Sequence, residues 1–162
     1  MPSKDEKMQY KEVKKPAMKF IGIGIDTSVQ NAPNECPKVW AEFMKRYKEI
    51  KNYIGGMKNY GVAINPNEKE CTFRYIAAAQ VSKFEAIPEG MEKVEVPEET
   101  CLVFIHKGKL DKLGETYWRV MQEIPKTRMK QKEEFWIEYY DHRWRGDKEE
   151  SIMEIWIPVT AK

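Results

Sequence analysis

Two stretches, EFWIEYYD at residues 134–141 and SIMEIWIPV at residues 151–159, decide the fold. Both read as strands, because side chains in a strand alternate between two faces and both stretches alternate by chemistry. In the first, Phe135, Ile137 and Tyr139 share one side, and Trp136, Glu138 and Tyr140 share the other. In the second, Met153, Ile155 and Ile157 form an apolar side opposite Ile152, Glu154 and Trp156. The charged run Arg143 to Glu150, with Gly146-Asp147 inside it, reads as the hairpin loop between them. The plain Met/Ile side is expected to be core beneath helices. The sides that carry the carboxylates and the Trp and Tyr rings are expected to line up on the opposite face of the sheet.

Working outward, the same order of elements occurs twice. AMKFIGIGI (17–25) reads as a strand, and residues 26–36 as a loop. A helix is expected to open at Pro37 and to carry Trp40, Phe43, Met44 and Tyr47 on one face, with Gly55-Gly56 as its breaker. Strands are expected at 60–65 and 72–82, with a turn at Asn65-Pro66-Asn67. The order then restarts with a strand at 99–107. A helix near 110–124 follows, with Leu113, Tyr117, Val120, Met121 and Ile124 on one face, and the two strands quoted above complete the copy. The fold class is therefore α+β: two β-α-β-β halves, about 17–90 and 91–160, form one antiparallel-type sheet with two helices on one face. Residues 1–16 read as a polar leader to a single domain, 17–162. By the repeat, Tyr75, Ala77 and Ala79, together with Gly61 and Ala63, should share the face of Glu138. Small residues opposite large rings leave room for a cleft where the halves meet.

The chain has 162 residues, enough for a core without disulfides or metal. Its 28 basic and 26 acidic residues nearly balance, so there is no electrostatic footprint for nucleic acid or an anionic membrane. No run approaches the length of a membrane span. Cys36, Cys71 and Cys101 are odd in number and share no metal-ligand spacing, so they read as reduced thiols of a cytoplasmic protein. His106 and His142 share no ligand spacing with any cysteine. Gly22-x-Gly24 lies inside a strand and lacks the rest of a dinucleotide fingerprint, and Lys126 to Lys132 reads as a solvated connector. No metal or organic cofactor is called for.

The stretch from Ile137 to Trp144, IEYYDHRW, followed by Glu154-Ile155-Trp156-Ile157-Pro158-Val159, resembles the C-terminal signature of GyrI-like domains, also known as AraC-type effector-binding domains. The likeness extends from about Met18 to Val159 and is sharpest at its C-terminal end. It implies a cleft between the halves that takes lipophilic, often cationic, compounds. It places the family's central acid on Glu138 and a second acidic position on Glu154. With about sixteen residues before the first expected strand, the chain resembles the stand-alone members. Some of these hydrolyse cyclopropane-bearing alkylating toxins, and others protect gyrase from inhibitors.

The residues support three readings. A binding protein would use Glu138 as counter-ion and Trp136, Tyr140, Tyr75 and Trp156 as walls, with Glu154 nearby, because rings give contact area and cation–π attraction. A hydrolase would use Glu138 as general base, with Tyr140 or Tyr75 donating to a carbonyl that takes up charge. A protein-interaction module would use the aromatic face as a flat contact surface.

Overall fold

The computed structural model describes residues 8–54, 56 and 58–162, so most of the expected leader's first half and Gly55 lie outside it. Among the described residues the chain forms nine strands and two α-helices. The strands are β1 (Tyr10–Lys15), β2 (Met18–Ser28), β3 (Asn59–Asn67), β4 (Thr72–Val81), β5 (Glu92–Val96), β6 (Glu99–Lys107), β7 (Met129–Gln131), β8 (Phe135–Tyr140) and β9 (Ile152–Ala161). The helices are α1 (Ala32–Arg46) and α2 (Leu113–Glu123).

All pairings are antiparallel, and the main order is β1-β6-β9-β8-β3-β4-β2-β5. The duplication is visible in that order. β2-α1-β3-β4 and β6-α2-β8-β9 form the two halves, and they meet at the central β8–β3 pair. Each half's first strand pairs with the strand that precedes its counterpart, so β1 joins β6 and β5 joins β2. β1 therefore corrects the leader: residues 10–15 are an edge strand whose backbone is hydrogen-bonded to β6.

Both helices cover one face. Val39 and Phe43 of α1 pack with Ile21, Ala77 and Ala79, and Val120 of α2 packs with Phe104, Ile155 and Ile157. Among the described residues the other face has no helix, yet Tyr60, Val62, Ile76, Ile137 and Trp156 are buried there. Val94 and Val96 from one end of the strand order share that cluster with Cys101 and Val103 from near the other end, so the open sheet curls about this face.

Several element limits differ from expectation, and two strands are additional. α1 starts at Ala32, five positions before Pro37, because Pro33 already suits its first turn and Pro37 is carried inside the helix. β3 runs to Asn67, and Asn65, at φ 53°, marks a bulge instead of the turn, which falls on Glu68–Cys71. β5 and β7 have no counterpart in the expected strand list. Among the described residues no helix is long and apolar enough to cross a membrane.

Candidate functional site

Strand register decides what Glu138 faces. Phe104, Ile155, Glu138, Gly61, Ala77 and Ile23 are successive cross-strand partners and so form one row on one face. Phe104 and Ile155 pack under α2, and Ala77 under α1. Glu138 therefore lies on the helix-covered face, midway between the two helices. Trp136 and Tyr140 flank it on β8, and Tyr75 pairs with Ala63 one step along.

The next row over is Val103, Trp156, Ile137, Val62 and Ile76 on the helix-free face. Tyr139 pairs with Glu154 on that same side. This corrects the expected grouping: Glu154 and Trp156 lie on the helix-free face and are not brought to Glu138. Alternation fixes the two sides within one strand, but an offset of one residue between strands exchanges faces. Glu154 is instead satisfied locally, accepting Trp156 Nε1 at 2.8 Å and Arg143 Nη2 at 2.6 Å. Lys15 Nζ lies 3.8 Å from the centroid of Trp156 and covers that ring.

Three phenols converge on Glu138. Tyr75 Oη donates to Oε1 at 2.8 Å, Tyr140 Oη to Oε1 at 3.1 Å and Tyr117 Oη to Oε2 at 2.6 Å. Trp40 Nε1 donates to Tyr75 Oη at 2.8 Å, so α1 reaches the acid through Tyr75 and α2 reaches it directly through Tyr117. The approach depends on Gly61: a Cβ there would stand 2.3 Å from Tyr75 Oη and 2.9 Å from Glu138 Oε1. The room expected above the small residues is thus occupied by Tyr75, and the site is closed by its own rings. Tyr117 stacks on Trp136 at 5.5 Å, and Tyr140 meets Trp40 edge-on at 5.3 Å and Trp144 at 5.0 Å. Glu138, Tyr117, Tyr140, Trp40 and Trp136 are half-buried, and Tyr75 is buried. Cavities of about 290 and 360 Å³ lie elsewhere, beside Glu123 and beside Phe135, and neither touches Glu138.

The electrostatics are those of one acid among neutral donors. Burial, and after it the Glu138 charge, holds the phenols of Tyr75, Tyr117 and Tyr140 well above the ordinary tyrosine value. They therefore remain protonated donors. No Lys, Arg or His among the described residues pairs with Glu138. A half-buried carboxylate gathered by neutral hydroxyls and walled by rings can take a cation as its missing partner.

Sequence reasoning placed Tyr117 and Trp40 on the apolar helix faces and did not connect them with the acid. Their polar tips were the available signal, since a buried phenol or indole N–H needs a partner. Of the histidines, His106 is buried between Thr116 Oγ1 at 2.7 Å and Lys109 O at 3.0 Å, a structural clamp, and His142 is exposed.

Comparison with known proteins agrees with the fold. Residues 13–159 match the Cass2 family, described as integron-associated effector binding protein. The transcriptional regulator BrlR of Pseudomonas aeruginosa is 30% identical over 156 residues, which cover 94% of this chain and 56% of BrlR, so the chain spans about half the length of that relative. The structure of SAV2435 bound to tetraphenylphosphonium superposes with a TM-score of 0.74 at 18% identity, covering 94% of each chain. The integron cassette protein VCH_CASS2 from the mobile metagenome of Vibrio cholerae superposes with a TM-score of 0.68 at 17% identity, covering 95% of this chain and 98% of that one. At these identities the superpositions establish a shared fold. The chain belongs to the integron-associated effector-binding protein family, a GyrI-like family.

Proposed function

We propose that this protein binds lipophilic, aromatic monocations, with the positive charge set against Glu138 between α1 and α2. One observation carries the reading: a half-buried carboxylate holds three neutral phenols and pairs with no cationic side chain among the described residues. A cation entering from the helix side would meet the Trp40/Tyr140 edge and the Tyr117/Trp136 stack, which give ring area and cation–π attraction. The tetraphenylphosphonium carried by SAV2435 is a fitting probe, being one positive charge inside a shell of rings. Sequestration or sensing of such compounds follows from the same binding step.

Hydrolysis by the same residues fits less well. Oε1 already accepts two phenols and Oε2 one, so an attacking water would have to compete with them for Glu138. An interaction module needs a flat open face, whereas both helices overlie the ring-and-acid cluster.

The test is a tryptophan-fluorescence titration with tetraphenylphosphonium. A charge held about 6 Å from the carboxylate at an effective dielectric of about 20 gains about 3 kcal/mol. Glu138→Gln is therefore expected to weaken binding about a hundredfold. Neutral triphenylphosphine oxide should bind both forms alike. Equal affinity of wild type and variant for the cation would refute the counter-ion role.

A further inference from the structure

The cavity beside Glu123 holds a second carboxylate that lacks a close partner. Glu123 is the last residue of α2 and is only 5% exposed. It accepts no hydrogen bond from another described residue, and its one ion pair is with Lys126 Nζ at 3.9 Å, beyond hydrogen-bond reach. A buried ion is costly unless it is paired and hydrogen-bonded. The place in the helix adds to that cost. The C-terminal end of a helix carries a partial negative charge, α2 has no basic residue in its last turn, and Pro125 brings no N–H to close that turn. Both effects favour a cation at Glu123. The cavity measures about 290 Å³ and is lined by Tyr10, Glu123, Lys126 and Thr127, between the end of α2 and the edge strand β1. Its walls are fixed. Tyr10 leans on Phe104 at 5.4 Å, while Thr127 Oγ1 donates to Ile124 O at 2.7 Å and accepts from Met129 N at 3.0 Å. The Tyr10 phenol bonds to no other described residue. The cavity beside Phe135 has no comparable group, because its Lys93, Glu95 and Glu134 are all exposed.

We infer that this cavity is a second ligand site, which takes small primary ammonium compounds through Glu123. It is separate from Glu138 and does not rest on the reading of that acid. Tyr10, Phe104, Ile155 and Glu138 are successive cross-strand partners, so Tyr10 lies three strands, about 14 Å, from Glu138. The two acids also ask for different ligands. Glu138 already has three phenol donors, so a ligand there needs only charge and rings. Glu123 has no donor, so its ligand must bring N–H groups together with the charge. An ammonium group donates to the carboxylate, and the Tyr10 oxygen can accept another of its N–H bonds. Lys126, exposed and only loosely paired, gives way and stays solvated. A quaternary cation has the charge but no N–H and leaves the acid without a hydrogen bond. Among the described residues no group of three His, Cys, Asp or Glu is gathered here or elsewhere, so the side chains suit a monovalent ammonium better than a divalent metal.

Amide NMR on the isotope-labelled whole chain tests this by titration with butylammonium. Tetramethylammonium, equal in charge but without N–H, is the control. Butylammonium is expected to give saturable shifts at Tyr10, Glu123, Lys126 and Thr127, and tetramethylammonium none. Glu123→Gln keeps the size of the side chain and removes a buried charge, so it is expected to fold. It should bind butylammonium at least about tenfold more weakly. If that variant does not fold, Lys126→Met decides: with the competing ammonium gone, butylammonium should bind about two- to fivefold more tightly. Excess tetraphenylphosphonium should leave the butylammonium shifts in place. The second site is overturned by shifts that do not saturate, by tetramethylammonium binding as tightly, or by displacement with tetraphenylphosphonium. It is equally overturned by unchanged affinity in Glu123→Gln or by unchanged or weaker affinity in Lys126→Met. Failure of tetraphenylphosphonium to bind would overturn the reading of Glu138 and leave this site standing.

Discussion

Tyr117→Phe removes one hydroxyl and keeps the ring. That hydroxyl lies 2.6 Å from Glu138 Oε2 and is the sole hydrogen bond of that oxygen among the described residues. The stack of residue 117 on Trp136, 5.5 Å between centroids and 19° between planes, survives the change. What is lost is a charge-assisted bond between α2 and β8, worth about 2 kcal/mol. For a chain of this size that lowers the melting temperature by about 4–8 °C. Ligand binding should move the other way. Oε2 loses the donor with which an incoming cation competes, so the affinity for tetraphenylphosphonium should rise about tenfold. Circular dichroism melts with and without ligand measure both effects on one sample. A variant that melts with the wild type, or that is destabilised and also binds the cation more weakly, would refute the view that the phenols stand in for the ligand.

Further consequences follow from the same geometry. Gly61→Ala, whose Cβ would lie 2.3 Å from Tyr75 Oη, is expected to destabilise by about 1–3 kcal/mol in urea unfolding and to weaken cation binding. A more stable variant, as strand propensity alone would favour, would contradict the close approach. Glu154→Gln removes an acid bonded to Arg143 and Trp156 on the other face, so tetraphenylphosphonium affinity should stay within about twofold of wild type. Stability should fall in alkali. Phenols raised in the fold keep protons that the unfolded chain releases near pH 10, so their contribution is complete below that pH and is lost as pH climbs toward their folded values. Each adds a slope of about 1.4 kcal/mol per pH unit, and Tyr140→Phe should make the alkaline loss in chemical denaturation shallower. A pH-independent stability between 9 and 11 would contradict the burial of these hydroxyls.

The repeat and the two helices were legible because strand alternation and helical spacing are local properties. That is why Gly61, Ala63, Ala77 and Tyr75 could be placed on the Glu138 side from sequence, and the cross-strand pairs put them there. Glu154 and Trp156 were misplaced because the offset of β8 against β9 is a long-range fact that neither strand encodes alone. Tyr117 shows a related limit. Its position on the inner face of α2 was readable, but its reach to Glu138 depends on how α2 sits over the sheet. β1 was hidden by its charges, Lys11, Glu12, Lys14 and Lys15, an ordinary feature of an edge strand.

The most direct measurement is a crystal structure of the protein grown with tetraphenylphosphonium. Ligand density is expected on the helix-covered face, with the phosphonium set against Glu138 and Trp40, Tyr117, Trp136 and Tyr140 parted around its rings. Density on the Trp156–Glu154 face, or a ligand away from Glu138 with all three phenols still bonded to it, would rule out Glu138 as the counter-ion.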